Sequence, residues 1–471
     1  MKIAKVYDLL PVWLQNVLFS LYGYHLRDKR YNSSQQRYSY MLKANECASK
    51  ESYQKQQLRL LRDMLRHCRK NVPYYQALFK KLDFNPNDIR SLADLQKLPL
   101  LEKKDVLGNS QQFVSKNIPK SDLIAEQTSG TSGSPLTVYW TKDFYTWIYA
   151  LYETRMRASA GVSINDRRAN FTGKVLVPVA QTKPPFWRYN FAEKQLYMSS
   201  YHLSQINMDF YFEELMRFKP RYIIGYPGSL YPMAKYLADT QQKIPSLKSV
   251  ISCSEYLKPQ ARETLEQGFG VKVFNHYGSV EWVATVNECE HGSLHLSPEV
   301  GIIEIVDSQG APVPRGQSGE MVCTGLLNYG MPFVRYRTGD IAAYPQEDKN
   351  CPCGRTLPIL KSLEGRKMSF LTLPNGMTVG SAALSTAFHA ENILESQLIQ
   401  EAMDSVNLKL VVKDEFKDSD RECLIEELRK RIAPLSIKYE YVDSIPAEKG
   451  GKKQWIINRL KTKAKDNAIG Y

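Results

Sequence analysis

Residues 128–135 read TSGTSGSP: five hydroxyl side chains, two glycines and no lysine. Glycine lets backbone N–H groups turn inward and approach a ligand closely, and Ser and Thr add hydroxyl donors. Such a nest favours phosphate oxygens. A Walker loop would place a lysine after its second glycine, so any cation here must come from elsewhere in the chain. Taken alone, a Ser/Gly-rich segment is a solvated turn. Four further stretches follow it in order. YGSVE, residues 277–281, ends a strand-like segment with an aromatic, a glycine and a carboxylate. YRTGD, residues 336–340, places Asp340 just past another apolar segment, and EGR ends on Arg366. EKGGKK, residues 448–453, sets flexible glycines before Lys452 and Lys453. A lone aspartate or lysine is a surface charge; five such stretches in one order are specific.

A second constellation is soft rather than charged. NECEHGSLH, residues 287–295, and NCPCGR, residues 350–355, together offer Cys289, His295, Cys351 and Cys353. Three thiolates and an imidazole are a tetrahedral donor set for zinc, with His291 the competing nitrogen. The C-x-C spacing is tighter than the usual C-x-x-C, and the plain alternative is buried cysteines that fill space. Four protein ligands leave no open position, so a metal held this way is structural. No G-x-G-x-x-G, H-E-x-x-H or G-x-S-x-G motif accompanies either set.

These residues need a scaffold. Beyond residue 120, strand-like segments (RYIIGYP, SVISCS, VKVFNHYG, GIIEIVD) alternate with helical ones such as PQARETLEQGF, which predicts an α/β body. Residues 51–69 predict an amphipathic helix burying Leu58, Leu61, Leu65 and Cys68, broken at Pro73. A boundary is expected at LEGRKMS, giving an N-terminal body over 1–364 and a cap over 365–471. The cap should contain strands at MTVG, NLKLVVKD and KYEYVDSI, and helices at SAALSTAFHAEN and DRECLIEELRKRI. Within residues 1–25, an apolar N-terminal helix puts Leu10, Trp13, Leu14, Val17, Leu18 and Leu21 on one face. That face either packs on the body or, with Trp13, Tyr22, Tyr24 and the following RDKR, meets a membrane over residues 8–24.

At 471 residues the chain has room for two or three domains, and its composition (43% hydrophobic, 24% charged) is that of a globular protein. A net charge of +14 favours polyanionic partners. No zinc-finger, RNP or long basic tract is present, so nucleic acid is not the expected one. Eight cysteines without a secretion signal indicate reduced thiols and a cytoplasmic protein, with the inner face of the membrane as an extension of that placement. Cys47, Cys68, Cys253, Cys323 and Cys423 read as packed thiols.

In order and spacing, the five charged or phosphate-directed stretches resemble the acyl-adenylate-forming superfamily. Within it the chain looks most like the phenylacetate–CoA ligase branch, including relatives associated with capsular-polysaccharide and deazaflavin-coenzyme adenylation genes. NVPYYQALFKKLDFNPNDIRSLADLQKLPLLEKKDV, RYIIGYPGSLYPMA and SCSEYLKP are similar to that branch, while PPFWRYN and LYMSSYHLS look like its polysaccharide-associated subgroup. The resemblance implies a large body with mixed sheets and a small mobile α+β cap. It implies that Thr128, Ser129, Gly130, Thr131, Ser132 and Gly133 cradle the β and γ phosphates of ATP. Tyr277, within Tyr277–Gly278–Ser279, would lie against adenine, with Ser252 to Glu255 (including Ser254) as the neighbouring wall and Cys253 lining that pocket. Glu281 would hold magnesium, Asp340 the ribose hydroxyls, and Arg366 would sit near the ribose at the hinge. Lys452 would bridge the attacking carboxylate and the α-phosphate. Many members of the branch carry a structural zinc site similar to the Cys/His set.

The implied activity is ATP-dependent activation of a carboxylic acid as acyl-AMP, then transfer to the thiol of CoA or to an amine, in a setting such as surface-polysaccharide synthesis. Two rivals are a nucleotidyltransferase that leaves AMP on a coenzyme hydroxyl, and a non-catalytic scaffold at the membrane. His202, Trp187 and Tyr226 are candidate acyl-pocket residues, each with packing as its simpler role. Nothing in the residues names the acid or the oligomeric state.

Overall fold

The computed structural model describes residues 7–128, 136–178, 181–364, 370–374, 378–380, 384, 387–388, 392–445 and 455–460. Its largest sheet has nine strands. Their order is Ile359–Leu360, Leu294–Leu296, Thr285–Glu288, Val273–Gly278, Ser249–Cys253, Tyr222–Gly225, Arg168–Thr172, Gln195–Ser199 and Trp187–Asn190. The five strands from Val273–Gly278 to Gln195–Ser199 run parallel. Antiparallel strands close both flanks. Parallel strands are covered on both faces and so read as apolar runs; Tyr222, Ile223, Val250, Ile251 and Val273 are all fully buried. Helices Pro227–Thr240 and Pro259–Phe269 make two of the crossovers, each opening on a proline whose missing N–H would be unpaired there anyway. The two pack so closely that a Cβ at Gly268 would lie 2.0 Å from the Ala234 carbonyl oxygen.

A second, four-stranded antiparallel sheet follows: Gly301–Val306, Ser318–Gly325, Tyr336–Ala343 and Ser362–Glu364. A hairpin, Leu123–Gln127 with Thr137–Thr141, stands beside it. One core cluster joins this sheet and the hairpin to helices Lys50–Asn71 and Pro73–Lys81. The first of these helices is capped by Ser49, which accepts from Ser52 N, and it buries Leu61, Leu65 and Cys68 as its periodicity predicts. A third sheet, ordered Ser436–Tyr441, Ser405–Val412, Ile393–Ala402 and Ile456–Asn458, carries helix Asp418–Ile432 through Leu424, Leu428 and Ile432. Tyr201 of the nine-stranded region packs into that cluster and hydrogen-bonds Arg431. The architecture is the mixed α/β one expected. Most of the helix anticipated at SAALSTAFHAEN lies outside the described residues, and the strand Ile393–Ala402 was not anticipated.

Two expectations are corrected. The N-terminal helix runs Val12–Arg30, and it does not pack through its apolar face: Trp13, Val17, Leu18 and Leu21 are exposed, while Gln15 and Gly23 are buried. Hydrophobic periodicity identifies residues that share a face but not which face the body takes. Cys47 is exposed rather than packed, because it lies in the short connection after helix Ser33–Asn45.

Candidate active site

Open α/β sheets hold ligands at the carboxyl ends of their parallel strands. Three of those ends converge here. Strand Ser249–Cys253 runs into Ser254 and Glu255, strand Val273–Gly278 ends on Tyr277 and Gly278 with Ser279 next, and strand Tyr222–Gly225 runs into Tyr226. Strand Tyr336–Ala343 of the antiparallel sheet supplies Tyr336 and Asp340. Two hydrogen bonds join the sheets: Tyr277 OH donates to Asp340 Oδ2 at 2.7 Å, and Tyr336 OH donates to Glu281 Oε1 at 2.9 Å. Glu281 is buried. The role of Tyr336 was missed in the sequence, although it opens the quoted YRTGD stretch.

The hairpin Leu123–Gln127 with Thr137–Thr141 flanks the TSGTSGSP stretch, of which Thr128 is described. Thr128 N donates to the Leu136 carbonyl and Leu136 N donates to Thr128 Oγ1, both at 2.9 Å, so the two ends of the intervening segment are clamped together. Trp140, on the outgoing strand, donates from Nε1 to the Val280 carbonyl at 2.9 Å. The hairpin is thereby tied to the turn that carries Glu281. Ser129, Gly130, Thr131, Ser132, Gly133, Arg366 and Lys452 lie outside the described residues.

Backbone conformation marks the same residues. Ser254, Trp282 and Arg335 have φ of 63°, 50° and 50°, and Gly339 has 78°. A left-handed conformation costs a non-glycine residue roughly 1–2 kcal/mol. These four positions directly adjoin Glu255, Glu281, Tyr336 and Asp340. Strain of this kind persists where surrounding structure over-determines it, and it clusters at ligand-holding sites. Helix Lys142–Leu151 continues as a π-helical turn, Tyr152–Arg157, and Tyr152 stacks edge-on against Trp282 with centroids 5.5 Å apart.

Glu255 accepts from Gly228 N at 3.0 Å, and burial pushes its carboxyl from 4.5 up to about 7. A carboxyl whose pKa is higher folded than unfolded stabilises the fold at low pH, and that contribution is lost as pH rises through the folded value. Thermal unfolding should therefore show a loss of stability between the ordinary carboxylate range and pH 7 that Glu255→Gln removes. A variant with the wild-type pH profile would contradict this assignment. Of the acyl-pocket candidates, Trp187 is a core residue, and His202 is buried, stacked on Phe186 and held by Ser199 Oγ at 2.7 Å. Tyr226 is half-buried just past the end of strand Tyr222–Gly225.

Cys289, His295, Cys351 and Cys353 also come together, with their donor atoms all within 4.8 Å of one another. Cys289 Sγ lies 3.6 Å from Cys351 Sγ, and Cys353 Sγ lies 3.4 Å from His295 Nε2. Tetrahedral zinc with bonds near 2.3 Å to sulfur requires sulfur–sulfur edges of about 3.8 Å, so the donor set fits such an ion. His295 Nδ1 faces the Leu357 carbonyl at 3.2 Å, which leaves Nε2 toward the thiols. His291 is not part of the group; its backbone N–H donates to Cys289 Sγ at 3.4 Å. The cluster joins strand Leu294–Leu296 to the loop before Ile359–Leu360, at one edge of the nine-stranded sheet.

The fold and this arrangement define a class, and comparison with known proteins agrees. The chain belongs to the AMP-binding enzyme family, whose model matches residues 89–329, half of its length. A CapK C-terminal domain model matches residues 371–459. The chain is 26% identical to Protein CapK of Staphylococcus aureus over 97% of its own length and 99% of that protein. It is also 26% identical to the phenylacetate-coenzyme A ligase of Aromatoleum evansii, over 88% of this chain and 96% of that one. The structure of 2-hydroxyisobutyryl-CoA ligase in complex with 2-HIB-AMP and CoA matches with a TM-score of 0.57 at 18% identity, covering 88% of this chain and 92% of that chain. At that identity the likeness concerns the fold. The phenylacetate–CoA ligase-like branch expected from the motifs is borne out.

Proposed function

We propose that this enzyme activates a carboxylic acid with ATP as an acyl-adenylate and then passes the acyl group to a thiol, that of CoA, or to an amine. The observation that carries the reading is the pair of bonds Tyr277–Asp340 and Tyr336–Glu281, which gathers an aromatic ring and two carboxylates at the carboxyl end of strand Val273–Gly278. In this reading Tyr277 OH orients the Asp340 carboxylate toward the ribose hydroxyls, and the Tyr277 ring, with Ser254 and Glu255, forms the adenine wall. Thr128 and the residues to Gly133 hold the outgoing diphosphate. Tyr336 fixes Glu281, a buried carboxylate suited to magnesium, and a bound magnesium ion would neutralise phosphate charge. Lys452 supplies the mobile cation, and Arg366 stands at the hinge between a body of residues 1–364 and a cap of residues 365–471. Zinc in the Cys/His cluster would be structural. Similarity to Protein CapK and the subgroup resemblance support a role in surface-polysaccharide synthesis, in the cytoplasm.

A hydrogen bond to a charged group contributes about 1.5–3 kcal/mol. Asp340→Ala should thus weaken ATP binding by about 10- to 100-fold in calorimetry, and binding within twofold of wild type would remove Asp340 from the nucleotide site. The reaction itself is tested by ATP–pyrophosphate exchange across aryl acids, fatty acids, amino acids and uronic acids. Exchange stimulated by a carboxylate supports the proposal. Exchange stimulated only by a hydroxylated coenzyme would transfer it to nucleotidyl transfer.

A further inference from the structure

Helix Val12–Arg30 is amphipathic in the reverse sense. Its polar side faces the protein. Gln15 accepts from Arg188 Nε, Asn16 Oδ1 accepts from Tyr189 N at 3.0 Å, and Ser20 Oγ accepts from Phe191 N at 3.0 Å. Arg27 donates to the Ala192 carbonyl at 2.7 Å, and Arg30 pairs with Glu193 at 2.8 Å. Gly23 is pressed against Asn190, whose side chain would lie 2.3 Å from a Cβ there. These contacts fix the helix along the outermost strand, Trp187–Asn190, and cover that edge. The apolar side faces outward: Trp13 is 66% exposed, Leu21 63%, Tyr22 56% and Tyr24 72%, with Val17 and Leu18 beside them. The helix is therefore held by directional polar bonds and by Phe19 packed edge-on against Tyr197, with most of its hydrophobic surface outside.

We infer that this face docks on the surface of an anionic lipid bilayer. The side-chain types suit the interface between headgroups and acyl chains, where Trp and Tyr rings settle with Leu and Val beneath. Charge selects the occupant. Residues 1–45 contain seven Lys and Arg against two Asp and no Glu, and of the seven Arg27 and Arg30 are taken up by the body. Lys29, Arg37 and Lys43 are exposed, as are Tyr40 and Met41 on the next helix, Ser33–Asn45. Anionic headgroups are attracted to these exposed cations and to a chain of net charge +14. Among the described residues no helix is long and apolar enough to cross a membrane, so the contact is peripheral. It is independent of the adenylation reading and rests on lipid binding alone.

The test is flotation of the full chain with vesicles of phosphatidylglycerol and phosphatidylcholine, beside vesicles of phosphatidylcholine alone. Binding to the anionic vesicles, weakened by salt, is expected. Trp13→Glu with Leu21→Glu should reduce it at least tenfold, and Lys29→Glu with Lys43→Glu should reduce it and flatten its salt dependence. All four side chains are exposed, so unchanged ATP affinity and melting temperature will show that the variants fold; Trp13→Ala is the milder companion. Three results would overturn the inference: no binding to anionic vesicles, equal binding by the apolar-face variant, or a lipid-free dimer that Leu21→Glu dissociates.

Discussion

Lys452→Ala is expected to slow carboxylate-dependent pyrophosphate exchange by about 10²–10³-fold while leaving ATP affinity within about twofold of wild type. The reasoning is electrostatic. A carboxylate that attacks the α-phosphate approaches existing negative charge, and TSGTSGSP offers amides and hydroxyls but no ammonium. Positioning and neutralisation must then come from groups aimed at the transition state. Loss of one such donor elsewhere costs about 3–4 kcal/mol, which is the size predicted here. In the proposed reading the lysine sits on a mobile cap and would act only on closure, which would also exclude water from a hydrolysable adenylate. The neighbouring Lys453 separates role from mere charge: Lys453→Ala should lose less than about tenfold. Equal losses in both variants, or a parallel loss of ATP binding, would assign the lysine to binding rather than to the chemical step.

The second large effect concerns the Cys/His cluster. Purified protein should contain one zinc per chain, and Cys351→Ser with Cys353→Ser should abolish it. A metal there would link two short strands at the sheet edge, with Arg355 from the same loop paired to Glu290 at 2.7 Å. An ion that binds only the folded state stabilises by RT ln(1 + [L]/Kd), about 4 kcal/mol at a thousandfold saturation. A clear fall in melting temperature on mutation or chelation is therefore expected. Activity at low temperature should persist, because four protein ligands leave no position for substrate. Metal-free protein with wild-type stability would reduce the cluster to packed thiols.

Different parts of the molecule were legible to different degrees, for physical reasons. The strands at Tyr222–Gly225, Ser249–Cys253, Val273–Gly278 and Gly301–Val306 were readable because buried strands concentrate apolar and β-branched residues. Helix Pro259–Phe269 was readable from its periodicity and opening proline. Strand Ile393–Ala402 was hidden because its buried positions include Ser396, Gln397 and Gln400. Gln400 is satisfied by distant residues: it donates to and accepts from Thr372 and accepts from Asn458. The site showed itself as an ordered set of motifs, yet the partners of its carboxylates did not: Tyr336 reaches Glu281 across 55 positions of chain, and Gly228 reaches Glu255 across 27. Cys289, His295, Cys351 and Cys353 were recoverable because soft donors are few and their geometry is narrow. The outward apolar face of Val12–Arg30 was not, since orientation depends on polar partners far along the chain.

What everything else presupposes is a phosphate cradle that borrows its positive charge. A crystal structure with a non-hydrolysable ATP analogue and magnesium measures that directly. The account predicts the β and γ phosphates against residues 128–133, the ribose hydroxyls on Asp340, and the metal on Glu281. A triphosphate bound away from that loop, with Asp340 and Glu281 making no contact to nucleotide or metal, would contradict it.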